Sequence, residues 1–415
     1  MILNFSVKNY LSFKERNTIS FEASSVRDSL LSNTYQTDSD LRVLKAITLF
    51  GPNGSGKSNL IKALSFAINF IQNSANENLS DRPIVVTYFK FSTERIGQPS
   101  FFEIELIAED NHRYLYTFSV DTKNVQYERL KLIVKTRDYL LFERTPQGIH
   151  VDENRFSEGL SVERKTRHNT LFLSAAANWN GRISLSILAV LNKVMFINDM
   201  PSMERETAQM LEQEKYKPEI LDFLKTSGLA FKDIVSTRQN ILPELFEGLP
   251  EEIKASYPRE NFLVQTIYDV FDEFENIVRQ DKLHINSEES AGTRKMIRLA
   301  GPFIDAVLNG KILVIDEFTA RLHPKLAEHI IKYFYKRTIN PLITPQLILA
   351  SHNVQLMNSS LFRRDQIYLS YRDEFYASSL FTILSQKTNV RHDANYVKKY
   401  LEGALGALPD IIDPT

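Results

Sequence analysis

Hydrophobic and polar positions change their spacing several times along this chain. The opening "ILNFSVKNYLSF" and the following "NTISFEA" alternate apolar with polar residues, which predicts two paired strands. "VLKAITLF" is a short apolar run that stops at Gly51, and apolar residues then recur at helical spacing from Ser58 to about Asn73. The pattern therefore predicts a strand, a glycine-rich loop and a helix, in that order.

The middle of the chain has two regions with different residue patterns. From about Ile84 to Gly148, β-branched and aromatic segments are separated by polar turns, so a mostly β region is expected. From roughly Ser184 to Arg279 the spacing predicts helices, among them Met203 to Leu224 and the amphipathic run Phe262 to Val278.

The last third alternates between helices and strands. The pattern predicts a helix after Gly292, the strand "KILVID", a helix from Pro324, the strand "QLILA", and two strands around Gln366 to Tyr371 and Phe375 to Leu380. No internal repeat interrupts this order.

Composition narrows the classes of protein that fit. The 415 residues contain no cysteine, which excludes disulfides, thiolate zinc sites and a cysteine nucleophile. No run approaches the ~18 apolar residues of a membrane helix and no signal-peptide pattern opens the chain, so we expect a cytoplasmic protein without a membrane segment. The formal net charge of −1 shows no overall excess of basic residues, which nucleic-acid binding would favour. A basic run leaves a local nucleic-acid contact open, although an exposed loop explains it equally well: Arg164, Lys165, Arg167 and His168.

The glycine-rich loop "GPNGSGKS" matches the phosphate-binding pattern G-x-x-x-x-G-K-[ST], placed after a strand and before a helix. Its backbone N–H groups can surround phosphate oxygens, Lys57 adds a positive charge at the β- and γ-phosphates, and the Ser58 hydroxyl is a ligand for Mg²⁺. The predicted ATP-binding residues are Gly51, Asn53, Gly54, Ser55, Gly56, Lys57, Ser58 and Asn59.

"KILVIDEF" brings two carboxylates to the end of a buried strand. In a phosphate-binding-loop protein, Asp316 is expected to hold Mg²⁺ together with Ser58, and Glu317 to polarise the attacking water as general base. A strand that simply ends in solvated acids is the alternative. Farther along, "LILASHN" predicts a strand that ends at His352.

"SEESAGT", residues 287–293, reads on its own as an ordinary helix start with Ser290 as the N-cap. Together with "DEFTARLHP" and "LILASHN", however, the chain resembles the ATP-binding-cassette (ABC) ATPases, in the soluble branch of the SMC, RecF and OLD-like proteins. The resemblance implies that a signature made of Ser290, Ala291, Gly292 and Thr293 touches the γ-phosphate of ATP held by a second subunit. It also implies a switch role for His352, which would bond the γ-phosphate or the attacking water, so that the catalytic residues are Lys57, Glu317 and His352.

The sequence departs from that family at several positions. The signature lacks the Ser-Gly-Gly-Gln form of transporters, and Arg321 stands where relatives usually have a small residue. Gln98 is a weak candidate for the glutamine loop, and adenine contacts are suggested only near Ser12 to Lys14.

With the resemblance, we expect an α/β fold: an ABC-type phosphate-binding-loop core with a mixed or parallel sheet, a β-rich N-terminal lobe and a helical insertion. The expected division is 1–150 for the N-terminal part of the core with the loop and the β-rich lobe. A mainly helical insertion would follow at 151–285, and 286–415 would hold the C-terminal part of the core with the signature, the acidic strand and His352.

The closer resemblance is to stand-alone ATPases of bacterial anti-phage and abortive-infection systems of the Rlo, AbiL, Septu and PARIS types, carried also by "TLFLSAAANWN" and "YVKKYLEGALGALPDI". It implies ATP and Mg²⁺ as cofactors, a homodimer or a higher even-numbered oligomer, and a separately encoded, nuclease-like effector. Only 63 residues follow His352, fewer than a Toprim nuclease lobe needs. Two alternatives remain: a DNA-repair ATPase of the RecF/SMC kind, and a nucleotide-gated scaffold with little turnover.

Overall fold

The computed structural model describes residues 1–25, 30–37, 41–75, 83–197, 200–240, 260–338, 343–385, 390–391 and 394–408. The strands, in chain order, are β1 (Ile2–Lys8), β2 (Asn17–Ser20), β3 (Thr34–Gln36), β4 (Arg42–Leu44), β5 (Ala46–Phe50), β6 (Ser100–Ile107), β7 (Arg113–Val120), β8 (Val125–Val134), β9 (Arg137–Thr145), β10 (Gly148–Val151), β11 (Val194–Ile197), β12 (Asp233–Asn240), β13 (Glu260–Phe271), β14 (Ile277–His284), β15 (Ile312–Ile315), β16 (Gln346–Ser351), β17 (Ile367–Arg372) and β18 (Ser378–Thr382). The helices are α1 (Lys57–Asn73), α2 (Phe172–Asn178), α3 (Arg182–Leu191), α4 (Met200–Leu211), α5 (Lys217–Thr226), α6 (Ala291–Asn309), α7 (Pro324–Arg337) and α8 (Tyr396–Leu401).

A six-stranded sheet forms the core, in the order β11-β15-β16-β5-β17-β18. Its neighbours are parallel except for β18, which returns antiparallel to β17. Strands β5, β15 and β16 are buried along their whole length, as expected for parallel strands covered on both faces. The predicted mixed α/β fold is therefore confirmed.

Side chains of alternate residues on the core strands enter two different hydrophobic clusters. Ile312 and Val314 of β15 pack into the cluster that contains α1, α2, α3 and the antiparallel sheet. Leu313 and Ile315 pack into the cluster that contains α4 to α8. The period of two along a strand thus places the core sheet between two apolar layers.

The predicted β-rich lobe is a seven-stranded antiparallel sheet, in the order β10-β9-β8-β7-β6-β1-β2. One buried carboxylate joins it to the segment that follows. Glu128 on β8 accepts hydrogen bonds from the Tyr116 hydroxyl (2.8 Å) and from the backbone N–H groups of Phe172 (2.7 Å) and Leu173 (2.9 Å). These N–H groups belong to the first turn of α2, where a helix lacks internal acceptors. Glu128 therefore attaches α2 to the sheet.

Helix α6 contains a proline, and α4 compensates for it. Pro302 has no N–H to donate to the carbonyl of Arg298 one turn earlier. The Thr207 hydroxyl donates to that carbonyl at 2.9 Å and accepts from the Gly301 N–H at 3.0 Å. A Cβ on Gly301 would lie 2.5 Å from the same hydroxyl oxygen, so only glycine permits this close approach of the two helices.

The predicted amphipathic helix from Phe262 to Val278 is wrong. The segment forms β13, a turn and the start of β14, within a three-stranded antiparallel sheet ordered β12-β13-β14. Phe262, Val264 and Thr266 are buried and alternate with more exposed neighbours, so the period is two rather than 3.6. β-Branched residues in the strand and the acidic turn residues Asp272, Glu273 and Glu275 favour the hairpin.

Segment 151–285 is accordingly less helical than expected. Its described residues form α2 to α5 but also β11 to β14, and β11 is an edge strand of the core sheet. The boundaries at 150 and 285 remain predictions.

Candidate nucleotide-binding site

Three adjacent parallel strands end at one edge of the core sheet and carry most of the predicted site. The loop 51–56 follows β5, His352 follows β16, and Asp316 with Glu317 follows β15. Phe50 lies opposite Ser351, and Ile315 opposite Leu349, so the strand ends are nearly level. The carboxyl edge of a parallel sheet is where ligands bind in open α/β folds.

Two glycines of the loop are required by close packing. A Cβ on Gly51 would lie 2.2 Å from the carbonyl oxygen of Ser370, and one on Gly56 would lie 2.3 Å from the Ser378 hydroxyl. Both glycines have a positive φ, +148° and +111°, which L side chains rarely adopt. The loop therefore lies against the hairpin of β17 and β18, while Asn53 and Gly54 are exposed to solvent.

Lys57 begins α1 with its side chain folded onto the loop. Its ammonium is buried and donates to the carbonyl oxygens of Gly51 and Pro52, both at 2.8 Å. Burial lowers the pKa of Lys57 to about 8, and the negative charges of Asp316 and Glu317 oppose that shift. The two carboxylates are thus close enough to act on the lysine electrostatically.

Serines from distant parts of the chain support the loop, and the sequence analysis missed two of them. The Ser370 hydroxyl donates to the carbonyl of Ser55 at 2.8 Å, and the Ser378 hydroxyl donates to the Ser12 hydroxyl at 2.8 Å. Asn59, predicted to contact ATP, donates its amide to the same Ser12 oxygen at 2.8 Å. No motif marks Ser370 or Ser378, because only the pairing of β5 with β17 brings them to the loop.

The carboxylates differ in exposure. Asp316 is half-buried and accepts the backbone N–H of Glu317 at 2.9 Å, whereas Glu317 is exposed. Ser58, the other predicted Mg²⁺ ligand, is half-buried at the start of α1. Glu317 and Arg321 both have a left-handed φ, +46° and +63°, so the loop after β15 is sharply bent.

Lys295 holds that bent loop, and the sequence analysis did not identify it. The side chain is buried on α6, and its ammonium donates to the carbonyls of Glu317 (3.1 Å), Phe318 (2.9 Å) and Ala320 (2.8 Å). Burial lowers the pKa of Lys295 to about 8, which the negative charge of Glu317 partly offsets. One side chain therefore links α6, the helix of the predicted signature, to the backbone of the predicted general base.

Replacing Lys295 by methionine is expected to lower ATP turnover by about 10²-fold, because a small displacement of a catalytic group can cost that much. ATP affinity, measured by calorimetry, should not change, since Lys57 and its loop are untouched. In a Glu317→Gln background the substitution should cause no further loss, because both changes act through the same carboxylate. Arg294→Met is the matched control, because Arg294 donates instead to the carbonyl of Asn286. Additive losses would show that Lys295 does not position Glu317.

His352 lies beside the loop at the end of β16. The pKa of His352 is lowered overall, chiefly by partial burial and then by the positive charge of Lys57. The charges of Glu317 and Asp316 and a hydrogen bond to the backbone of Gly51 act in the opposite direction. The imidazole thus lies near the phosphate-binding loop and close enough to both carboxylates to feel their charge. Its bond to phosphate or water remains a prediction.

The predicted signature opens α6. Ser290 is exposed and caps the helix by accepting the backbone N–H of Thr293 at 3.1 Å; the two hydroxyls lie 2.9 Å apart. Ala291 is exposed, and a Cβ on Gly292 would lie 3.3 Å from the carbonyl oxygen of Arg321. The N-cap interpretation is confirmed, and the same serine faces solvent at a helix N-terminus. Contact with ATP of a second subunit remains a prediction.

The remaining candidates lie elsewhere on the surface. Gln98 is exposed just before β6, and its carbonyl accepts the Asn9 amide at 2.9 Å. In the basic run, Arg164 and His168 are exposed, and the Lys165 ammonium lies 4.1 Å from the ring centre of Trp179. The backbone carbonyls of Arg167 and His168 accept hydrogen bonds from the buried Arg144, at 3.1 and 3.0 Å. A nucleic-acid role for this run is untested.

The fold and the site define a class: a phosphate-binding-loop nucleotide-binding protein whose loop strand and acidic strand flank a third parallel strand. The chain belongs to the family described as "AAA domain, putative AbiEii toxin, Type IV TA system", which matches residues 47–358. The expected resemblance to the AAA-family ATPases of abortive-infection systems is thereby confirmed.

Several solved structures are similar to the chain. One is an SMC head bound to the C-terminal winged-helix domain of ScpA, with 11% identity over 92% of this chain and 97% of the other and a TM-score of 0.46. Another is the SMC head domain from Thermotoga maritima, with 12% identity over 92% of this chain and 98% of the other and a TM-score of 0.42. A third is the recombination mediator RecF with ATPrS, with 10% identity over 92% of this chain and 98% of the other and a TM-score of 0.35. No curated protein matches the sequence. Among the described residues, no helix combines the length and apolarity needed to cross a bilayer.

Proposed function

We propose that the chain is a Mg²⁺-dependent ATPase that closes around ATP as a homodimer, or as a higher even-numbered oligomer, and controls a separately encoded, nuclease-like effector in anti-phage defence. The observation that supports this proposal most is the meeting of the loop, two carboxylates and His352 on three adjacent strand ends. The family description, which names a toxin–antitoxin system, is consistent with control of a partner protein.

The residues present fit a triphosphate with Mg²⁺. The loop is closed by hairpin atoms at Gly51 and Gly56 and open to solvent at Asn53 and Gly54, so it can surround phosphate from the exposed side. Lys57 adds a positive charge to the loop, and the N-terminus of the 17-residue α1 favours an anion. Mg²⁺, when bound, would neutralise charge on the phosphates, and Ser58 and Asp316 are the residues that would hold it.

Chemistry by the chain's own groups follows from their positions. Glu317, exposed beside the loop, can accept a proton from an attacking water, and His352 can donate or accept a hydrogen bond at the same place. The hydroxyl of the exposed Ser290, at the N-terminus of α6, could donate a hydrogen bond to ATP held by a second subunit. Negative charge develops there during phosphoryl transfer, and such a donor would stabilise it. Hydrolysis would then require two copies.

A DNA-repair ATPase of the RecF/SMC kind is the second candidate. Exposed Arg164 and the pair of Lys165 with Trp179 favour it, because basic and aromatic side chains together bind nucleic acid. A scaffold that binds ATP with little turnover is the third.

Lys57→Ala is expected to abolish ATP binding measured by calorimetry, because the loop loses its only full positive charge near the phosphates. In cells that carry the chain with its neighbouring gene, the variant should also lose protection against phage. Retained ATP affinity would contradict the phosphate-loop assignment. If the unchanged chain and its neighbour give no protection while the Lys57→Ala strain becomes sensitive to DNA damage, the repair function replaces the defence function.

A further inference from the structure

The hairpin of β13 and β14 exposes large apolar side chains close together. Phe271, Phe274, Ile277 and Val278 each expose more than half of their surface. A concentration of exposed apolar surface on one hairpin is typical of an interaction site. The sheet that carries it leads directly into the signature helix: Glu289 accepts hydrogen bonds from the hydroxyls of Thr266 and Tyr268 on β13.

Strand β14 forms one edge of its sheet. Within the part of the chain that the structure describes, it pairs only with β13, and residues 277–282 are all exposed. An edge of eight residues without proline or glycine offers backbone N–H and C=O groups to another strand. The strand carries charges of both signs, on Arg279, Asp281 and Lys282. The alignment of a partner strand therefore decides which of its residues can lie opposite these charges.

A second copy of β14 can pair with this edge only in certain registers. Every second residue of β14 directs its N–H and C=O groups to the free edge. Two residues on opposite strands can exchange backbone hydrogen bonds only if both direct these groups to the free edges of their own strands. Two identical antiparallel strands therefore align only where some residue lies opposite its own copy. Centring on Arg279, Asp281 or Lys282 would place like charges opposite each other, which destabilises a sheet.

Centring on Gln280 has the opposite effect. Arg279 then lies opposite Asp281 of the second copy and Asp281 opposite its Arg279, so two opposite-charge pairs form by symmetry. Ile277 lies opposite Leu283 twice, which covers apolar surface that is exposed in the single chain. Val278 lies opposite the aliphatic stem of Lys282.

We propose that β14 pairs antiparallel with β14 of a second copy, centred on Gln280, and joins the two three-stranded sheets into one. The contact uses no residue of the nucleotide site, so it forms without ATP. It is separate from the ATP-dependent closure proposed above and does not depend on it.

Because the chain has no cysteine, single cysteines can test the register. The full chain carrying Lys57→Ala, without nucleotide, excludes closure around ATP. Gln280→Cys should form a disulfide-linked dimer on mild oxidation, because directly opposite residues have Cα atoms about 4.5–5.5 Å apart. Lys282→Cys, on the same face of β14, should not, because in this register its opposite residue is Val278. Equal cross-linking of both variants, or of neither, would overturn the proposal.

Charge reversal tests the pairing itself, by light scattering without nucleotide. Arg279→Asp alone and Asp281→Arg alone should each weaken the dimer by about tenfold or more, because each places like charges opposite each other twice. An equal mixture of the two variants should form mixed dimers, since both pairs then match. Glu273→Arg, which changes the charge in the turn by the same amount as Asp281→Arg, is the control and should leave the dimer intact. A single chain that stays monomeric before any substitution, or a mixture that does not recover, would contradict the pairing.

Discussion

Replacing Glu317 by glutamine is expected to preserve ATP binding and to lower turnover by about 10²–10⁴-fold, the usual contribution of a general base. Glutamine keeps the size of the side chain but cannot take a proton from water. Glu317 is exposed, and only its backbone carbonyl contacts Lys295, so the substitution leaves the described hydrogen bonds in place. Phosphate release measures turnover, and calorimetry measures ATP affinity.

The same variant should accumulate a dimer with ATP, visible by light scattering, because closure is completed while hydrolysis is not. Glu328→Gln on α7 is the matched control, since Glu328 pairs with Lys332 on the helix surface (2.6 Å). Undiminished hydrolysis by Glu317→Gln would remove its role as base. Loss of ATP affinity would indicate instead that the carboxylate helps to bind the nucleotide.

Ser290→Arg is expected to abolish turnover in a uniform sample, by a factor of about 10³–10⁵, the contribution of a donor supplied in trans. The large side chain would occupy the exposed helix start where the second subunit's phosphate is expected. The substitution also removes the cap on Thr293, which costs about 1 kcal/mol of helix stability. Thermal unfolding should therefore be recorded beside activity.

Mixing Ser290→Arg subunits with Lys57→Ala subunits should restore activity. In a mixed dimer, the intact loop of the first subunit meets the intact signature of the second, so random pairing recovers about one quarter of the original sites. Ser287→Arg, three residues before the helix cap, is the control and should retain activity. A mixture as inactive as its components would show that Ser290 does not act on a second subunit.

The sequence predicted the local parts of this fold well. The loop at 51–58, the helix after it and the acidic end of β15 are each determined by neighbouring residues, so a pattern of one strand, one turn and one helix suffices. The run from Phe262 to Val278 was mispredicted because short apolar segments satisfy both periods, and its pairing with β12 and β14 decided the outcome.

The sequence by itself determined the chemistry available to this protein, because phosphate-binding and acidic motifs are contiguous and their residue types are specific. Only the tertiary structure decided which distant groups complete the site. Ser370 and Ser378 reach the loop through the pairing of β5, β17 and β18, and Lys295 reaches the backbone after Glu317 through the packing of α6. Such contacts join residues far apart in sequence, so they depend on strand order and helix packing, which no local pattern encodes.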